Sequence, residues 1–223
     1  MVKRKIIFGT YDTALMGLWT LAGLQLTDPE YQEYLMEVKG RDGPLDFSTV
    51  LTDGEPKYGS RTLTATLESS EGTRRERTAR ISRMVNELDG MRMNIQLPDY
   101  PDYYLTGRVK VREEYNDMAH CCVTVTAVCD PWLYAIEERQ YNLTAATDAK
   151  TAVLVNHGRR IVVPTVVITG ENASFLIECG YVSLALGPGT YQLPDLLLTR
   201  GNTSISYSGT GAAKITYREA VLR

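Results

Sequence analysis

The clearest periodic feature of the chain is one amphipathic helix, predicted between residues 73 and 88. Thr73 and Glu76 have the spacing of a capping box, in which each side chain satisfies a backbone donor of the first turn. Gly90 provides the stop, because glycine adopts the left-handed conformation that commonly ends a helix. The apolar positions share one helical face and are Ile81, Met84, Val85 and Leu88.

Segments of strict apolar–polar alternation flank this helix and predict half-buried antiparallel strands. One helix packed on such a sheet is an α+β domain. The alternating sets are Leu63, Ala65 and Leu67; Met91, Met93, Ile95 and Leu97; Val109 and Val111; and Cys121, Val123, Val125, Ala127 and Cys129.

The last third of the chain consists of short apolar runs separated by turn residues and has no helical period. About seven strands at such spacing predict a β-sandwich. Pro164 lies inside one run and cannot donate to a β-ladder, so we expect an edge, a bulge or a break there. The runs are 152–155, 161–168, 175–179, 182–186, 196–198, 204–207 and 214–217.

Composition changes between these two parts of the chain. Residues 1–140 hold 17 Lys+Arg and 22 Asp+Glu, whereas residues 141–223 hold only 7 and 5. We therefore predict two domains, an α+β domain over residues 1–143 and a β-sandwich over residues 144–223. The chain as a whole is expected to be mainly β.

The overall charge and hydropathy exclude several classes of protein. The formal net charge of −3 argues against a dedicated nucleic-acid binder, which usually has a basic excess. No apolar run approaches the roughly 20 residues needed to cross a bilayer, so no membrane association is expected. The basic start Lys3-Arg4-Lys5 precedes an apolar stretch too short for a signal peptide, so synthesis is expected to leave the chain in the cytosol.

Catalytic and metal-binding patterns are not found in the sequence. Its two histidines, His120 and His157, and four cysteines lack the spacings of zinc or redox sites. No nucleophile, base and orienting group fall together. We therefore expect no enzyme activity, no cofactor, no metal and no catalytic residue.

Two clusters are candidates for contact surfaces. Five arginines lie on or beside the predicted helix, where they form either a solvated face or a contact with acidic groups of a neighbouring subunit or with DNA. Three tyrosines lie in a proline-containing turn and either pack there or contact a partner, since tyrosine suits interfaces. The clusters are Arg74, Arg75, Arg77, Arg80 and Arg83, and Tyr100, Tyr103 and Tyr104.

The order of several motifs over residues 30–140 resembles the distal tail (Dit) proteins of long-tailed, siphovirus-like phages and prophages. A glycine–aspartate turn comes first, then a Tyr and an Arg before a strand, a helix with a Leu-x-Gly stop, a glycine in a strand pair, and a strand that closes in an Asp-Pro-aromatic step. These are residues 38–46, Tyr58 and Arg61, Leu88-Asp89-Gly90, Gly107, and Cys129-Asp130-Pro131-Trp132.

The resemblance implies a ring-forming N-terminal domain followed by a galectin-like β-sandwich. It implies a structural virion protein of the tail tip or baseplate hub, assembled in the bacterial host cytoplasm. In that family, six copies form a ring that joins the tail tube protein to the tail-associated fibre or lysin protein. DNA passes through the lumen without sequence-specific binding, which an acidic wall would favour by repelling phosphate.

The expected interface residues are Arg41 and Asp42, together with the helix arginines and the three tyrosines. The arginines are expected outside the lumen or at a subunit contact. The alternative function is a carbohydrate-binding adhesion module that uses the C-terminal sandwich. Carbohydrate is not the expected partner, because both tryptophans, Trp19 and Trp132, lie outside the sandwich.

Overall fold

The computed structural model describes residues 3–20, 23–50, 52 and 54–223, and the chain divides into two compact units. The first unit runs to Trp132 and takes in Leu222, while the second comprises Leu133–Val221 with Arg223. The predicted boundary lies between residues 143 and 144, which are consecutive residues of one strand in the second unit. The difference arises because charge density drops several residues after the chain has entered the second unit.

The first unit contains one α-helix, a short 3₁₀ helix at Thr13–Met16 and nine strands among its described residues. Seven of the strands form one antiparallel sheet in the order β2-β1-β7-β8-β9-β6-β3, and β4 pairs separately with β5. The elements are β1 (Ile7–Phe8), β2 (Tyr11–Asp12), β3 (Gln25–Leu26), β4 (Leu35–Met36), β5 (Leu45–Asp46), β6 (Arg61–Ser69), α1 (Arg74–Leu88), β7 (Arg92–Gln96), β8 (Tyr103–Asn116) and β9 (Cys121–Cys129).

Helix α1 confirms the prediction from sequence at both ends. The Glu76 carboxylate accepts from the Thr73 N–H at 2.7 Å, and the Glu76 N–H donates to the Thr73 hydroxyl at 3.3 Å, so the capping box is complete. Gly90 follows the C-cap with a φ of +76°. The apolar stripe is buried except for half-buried Val85, and the helix packs against β8.

The sheet of the first unit buries the residues that alternation identifies. On β6, the side chains of Leu63, Ala65 and Leu67 are fully buried, while the intervening Thr64 and Thr66 are half-buried. The five odd-numbered residues of β9, from Cys121 to Cys129, are buried in the same way. The predicted fold class, mainly β with one helix packed on an antiparallel sheet, is confirmed.

The second unit is built from a few long strands. β15 pairs with both β11 and β12, β12 also pairs with β13 and β14, and β10 pairs with β16. The elements are β10 (Leu133–Ala135), β11 (Arg139–Asn156), β12 (Thr165–Cys179), β13 (Val182–Leu186), β14 (Gly189–Gln192), β15 (Gly201–Tyr217) and β16 (Ala220–Val221).

The long strands bend, so that both halves of each strand face one core. On β12 the buried positions are even before the irregularity at residues 169–174 (Val166, Ile168) and odd after it (Phe175, Ile177). All four side chains belong to a single hydrophobic cluster. A local irregularity in a strand changes which face its side chains occupy, and here it lets one sheet fold over its own core.

Two of the apolar runs differ from their predicted structure. Residues 161–164 and 196–198 form only the isolated bridge between Val162 and Leu198 rather than strands. Leu196 and Leu198 are nevertheless buried, so their apolar character reflects core packing by a loop. The expected break at Pro164 is confirmed, because β12 begins at the following residue.

Candidate functional site

An extended excursion of the first unit, residues 30–58, is the main candidate for an interaction surface, and we call it the arm. The two ends of the arm lie side by side, since the Gln32 N–H donates to the Lys57 carbonyl and the Gly59 N–H donates to the Glu30 carbonyl. Further out, β4 and β5 form a two-residue antiparallel ladder. Ser48 is the one buried side chain among the described residues of the arm.

The arm carries an unusual share of exposed apolar side chains. Of eighteen large hydrophobic residues exposed in the described part of the chain, seven lie in the arm. A short hairpin cannot bury such side chains against itself, and patches of this kind mark interaction sites. The seven residues are Tyr31, Tyr34, Leu35, Met36, Val38, Phe47 and Val50.

Aromatic rings hold the base of the arm. The Tyr58 ring contacts the Tyr31 ring edge-on at 6.1 Å and the Trp132 ring at 5.7 Å between centroids. Nearby, the buried Arg61 guanidinium donates to the carbonyls of Thr27, Pro131 and Leu222. These contacts fix where the arm leaves the sheet.

Arg41 and Asp42 lie at the tip of the arm and are both exposed. The tip turns twice through glycines, with φ values of +87° at Gly40 and +78° at Gly43. The arm as a whole is acidic, with seven Asp+Glu and three Lys+Arg in residues 30–58. It therefore combines apolar side chains with a net charge of −4, most of the excess negative charge of residues 1–140.

The helix arginines do not form one surface. Arg77 is buried, because its guanidinium donates to the carbonyls of Gly72, Asp117 and Met118 at 2.6, 2.8 and 3.2 Å. It holds the helix against the β8–β9 turn and is not exposed for a subunit contact. The spacing of charges along a sequence does not reveal that one member of such a cluster faces inward.

The other four arginines lie at or near the surface. Arg83 is exposed and pairs with Glu87 one helical turn later, at 2.7 Å. Arg80 is half-buried and donates to the Glu71 carbonyl. Arg74 and Arg75 are exposed in the first turn of α1, where the positive end of the helix dipole makes cations unfavourable unless anions lie nearby.

Of the three tyrosines of the predicted contact cluster, Tyr100 lies in the turn before β8, while Tyr103 and Tyr104 begin that strand, and all three are half-buried. The predicted turn is confirmed, because the Tyr100 N–H donates to the Leu97 carbonyl and the Tyr103 N–H donates to the Tyr100 carbonyl. Their exposed portions remain candidates for contact.

The described residues contain no group of three or more His, Cys, Asp or Glu side chains arranged to hold a metal ion. Burial raises the pKa of the Cys121 and Cys122 thiols and raises that of Cys129 to about 11, so these cysteines are poor nucleophiles. Within the described part of the chain, no helix is long and apolar enough to span a membrane.

Sequence reasoning identified the tip of the arm but missed its apolar sides. Leu35 and Met36 are followed by polar residues and by a glycine turn, which is also typical of an ordinary core hairpin. The informative signal is the high charge density around them, since five acidic residues lie between Glu30 and Asp46. A hairpin so charged on both strands has little core to bury its apolar residues.

Neither a protein-family model nor a curated protein sequence matches this chain. Its structure is similar to the crystal structure of the SPP1 Dit (gp 19.1) protein, described as a paradigm of the hub adsorption apparatus in phages that infect Gram-positive bacteria. The TM-score is 0.67 over 97% of this chain and 98% of that chain, at 16% sequence identity. The chain therefore has the fold of a phage distal tail protein, and the expected resemblance is confirmed at the level of fold.

Proposed function

We propose that this chain is a non-enzymatic structural protein of a phage tail tip, where copies of it assemble into a ring. The ring connects the tail tube above to a tail-associated fibre or lysin protein below. The observation that carries the proposal is the exposed apolar arm, on a chain whose fold is that of a distal tail protein.

The exposed side chains of the arm account for self-association. Leu35 and Met36 are each more than half exposed, and so is Tyr34. Burying apolar surface contributes about 25 cal/mol per Å², so several such side chains give a substantial driving force when a neighbour covers them. The proposed neighbour is another copy of this chain, because every copy carries both an arm and a surface that an arm can contact.

The first unit also offers a surface of opposite charge. It lies at the beginning of α1, where Arg74 and Arg75 are exposed. Carboxylates of a neighbour's arm would neutralise them and would also satisfy the helix dipole. An arm and a helix are different surfaces of one chain, so their contact is head-to-tail and can close into a ring.

The number of copies, the lumen and the place of assembly are proposed from the resemblance to the distal tail protein family. Six copies in the ring, a lumen wide enough for DNA and assembly in the host cytoplasm are the arrangement that the resemblance implies. The negative charge of residues 1–140 suits a passage that DNA crosses without adhering. Arg41 and Asp42 are then arm-tip contacts with the adjacent copy.

Native mass spectrometry across protein concentration tests the proposal. We expect a species at six times the mass of one chain, and we expect the double variant Leu35→Ser/Met36→Ser to shift it toward the monomer. The matched control is Met118→Ser, because Met118 is 84% exposed but lies on the β8–β9 turn outside the arm. A wild-type monomer at every concentration and with tail tube protein added would contradict the proposal.

A further inference from the structure

A row of polar side chains crosses four adjacent strands of the second unit on the face away from its core. Thr151 on β11 pairs with Ser206 on β15, Ser206 pairs with Glu178 on β12, and Glu178 pairs with Ser183 on β13. Thr151, Glu178 and Ser183 are exposed, and Ser206 is half-buried. The Ser183 hydroxyl lies 3.5 Å from the Glu178 carboxylate, at the outer limit of hydrogen-bond distance.

Tyr181 stands at the end of this row. It lies in the two-residue turn between β12 and β13, where Gly180 has a φ of +58°. Its side chain is fully exposed, at 108% of the reference accessibility, and is the most exposed large apolar side chain among the described residues. A tyrosine of the sheet itself packs instead, as Tyr207 and Tyr217 do.

The row and the tyrosine border one open groove of about 560 Å³, which also includes Ser204. This volume is within the range of small-molecule sites. The polar groups lining the groove are hydroxyls and one carboxylate, and none of its lining residues is a Lys, Arg or His. We propose that this groove binds a neutral saccharide, with a sugar ring stacked on Tyr181 and sugar hydroxyls donating to Glu178.

The composition of the groove favours a saccharide over other occupants. A carboxylate accepts charge-assisted hydrogen bonds from adjacent sugar hydroxyls, and serine and threonine hydroxyls can both donate and accept. An anionic ligand would meet the Glu178 charge without a compensating cation. A protein interface would be expected to have an apolar centre, whereas the centre of this row is polar.

The groove lies wholly within the second unit of one copy, so its binding does not depend on self-association. Each site is shallow, and we expect millimolar affinity. In an oligomer, several such sites acting together would raise the effective affinity for a polysaccharide by orders of magnitude. A failure of the ring proposal would leave this inference intact, and the reverse is also true.

Two-dimensional ¹⁵N–¹H NMR of the full chain, titrated with maltotriose, cellotriose and chitotriose, tests the proposal. We expect at least one trisaccharide to shift the amide signals of residues 178–183 and 204–206. Tyr181→Ala and Glu178→Gln should each weaken that binding about tenfold or more, whereas Tyr181→Phe should retain it. The matched control is Tyr115→Ala, which removes an exposed tyrosine from the first unit.

Three results would overturn the proposal. The first is that none of the three saccharides shifts these amides at millimolar concentration. The second is binding that survives both Tyr181→Ala and Glu178→Gln, which would place the ligand elsewhere. The third is that shifts along Val182–Leu186 appear only with added tail proteins, which would make this strand an edge for a protein partner.

Discussion

The buried guanidinium of Arg77 joins helix α1 to the β8–β9 turn in the first unit. Three backbone carbonyls accept its hydrogen bonds, and the Asn116 side chain lies at 3.5 Å from Nε. Asn116 in turn donates to the Thr78 hydroxyl on the same helix. A buried cation is tolerated only where its donors are satisfied, so this network sets the position of the helix on the sheet.

Replacing Arg77 with alanine should destabilise the first unit by about 3 kcal/mol, because it leaves buried carbonyls without donors. Arg77→Lys should recover only part of this, since one ammonium cannot reproduce the planar fork. Urea unfolding followed by tryptophan fluorescence measures the effect. Arg75→Ala on the same helix is exposed and should change stability by no more than about 0.5 kcal/mol. Equal effects of the two alanine variants would refute the role given to Arg77.

Cys129 shows how closely the sheet is packed at the end of β9. A Cβ atom added at Gly107, its cross-strand neighbour, would lie 2.5 Å from the Cys129 sulfur. The thiol is 1% exposed, and burial is the main reason that its pKa rises from 9.0 to about 11. The folded protein therefore favours the neutral thiol.

This pKa shift predicts a loss of stability in alkali. The unfolded chain ionises Cys129 near pH 9, whereas the folded chain keeps it protonated to about pH 11, so ionisation stabilises the unfolded state relative to the folded state between these values. The contribution is about 2–3 kcal/mol, fully present below pH 9. Urea midpoints at pH 8, 9, 10 and 11 should fall less steeply for Cys129→Ala than for the wild type. Parallel curves would show that Cys129 does not contribute.

At the scale of elements, the bends of the long strands in the second unit depend on two glycines. Gly209 and Gly211 lie on β15 where it crosses the irregular part of β12. A Cβ atom at Gly209 would lie within van der Waals overlap of the Ser174 carbonyl oxygen, and one at Gly211 would lie 2.6 Å from the Ala173 Cβ. The strands can approach this closely only because neither position has a side chain.

We expect Gly209→Ala and Gly211→Ala to destabilise the second unit by about 2–4 kcal/mol each, through steric overlap with backbone or packed atoms. Both tryptophans belong to the first unit, so far-ultraviolet circular dichroism should show an earlier transition that tryptophan fluorescence does not follow. Gly187→Ala is the control, because its added Cβ would contact no atom within 4 Å. Unchanged melting of both variants would mean that the bend tolerates a methyl group.

Helix α1 and strand β12 show what the sequence could and could not reveal about the fold. Helix α1 was predictable to its ends because its cap, stripe and stop are all local signals. The bend in β12 was not predictable. Its buried positions change from even numbers (Val166, Ile168) to odd numbers (Phe175, Ile177), and in a sequence this change is typical of two separate strands. Only the pairing of both halves with β15 identifies them as one element.

At the scale of the whole molecule, one part of the candidate site was predictable from the sequence and another part was not. The tip of the arm, with Arg41 and Asp42, is marked in the sequence by glycines and charges. The exposure of Leu35 and Met36 is a tertiary property, as is the burial of Arg77 within a run of arginines. Sequence patterns identify which residues are apolar or charged, whereas interfaces depend on which of them the fold leaves uncovered.

The complementary charges of arm and helix predict a specific behaviour of the assembly. Arg74→Glu/Arg75→Glu should raise the dissociation constant of the oligomer about tenfold or more, because like charges would then meet the acidic arm. High salt should weaken wild-type association by screening the same pairs. Analytical ultracentrifugation measures both effects. The control Lys150→Glu/Arg200→Glu makes the same change in net charge on exposed residues of the second unit.

A charge exchange tests the pairing itself. Adding Glu33→Arg/Glu37→Arg on the arm to the Arg74→Glu/Arg75→Glu chain should restore association, since each copy would then present a basic arm to an acidic helix. Either pair alone should weaken it. Association that is lost equally in the combined variant would mean that the arm and the helix contact different partners. Restored association would identify the two surfaces as the two sides of one head-to-tail interface.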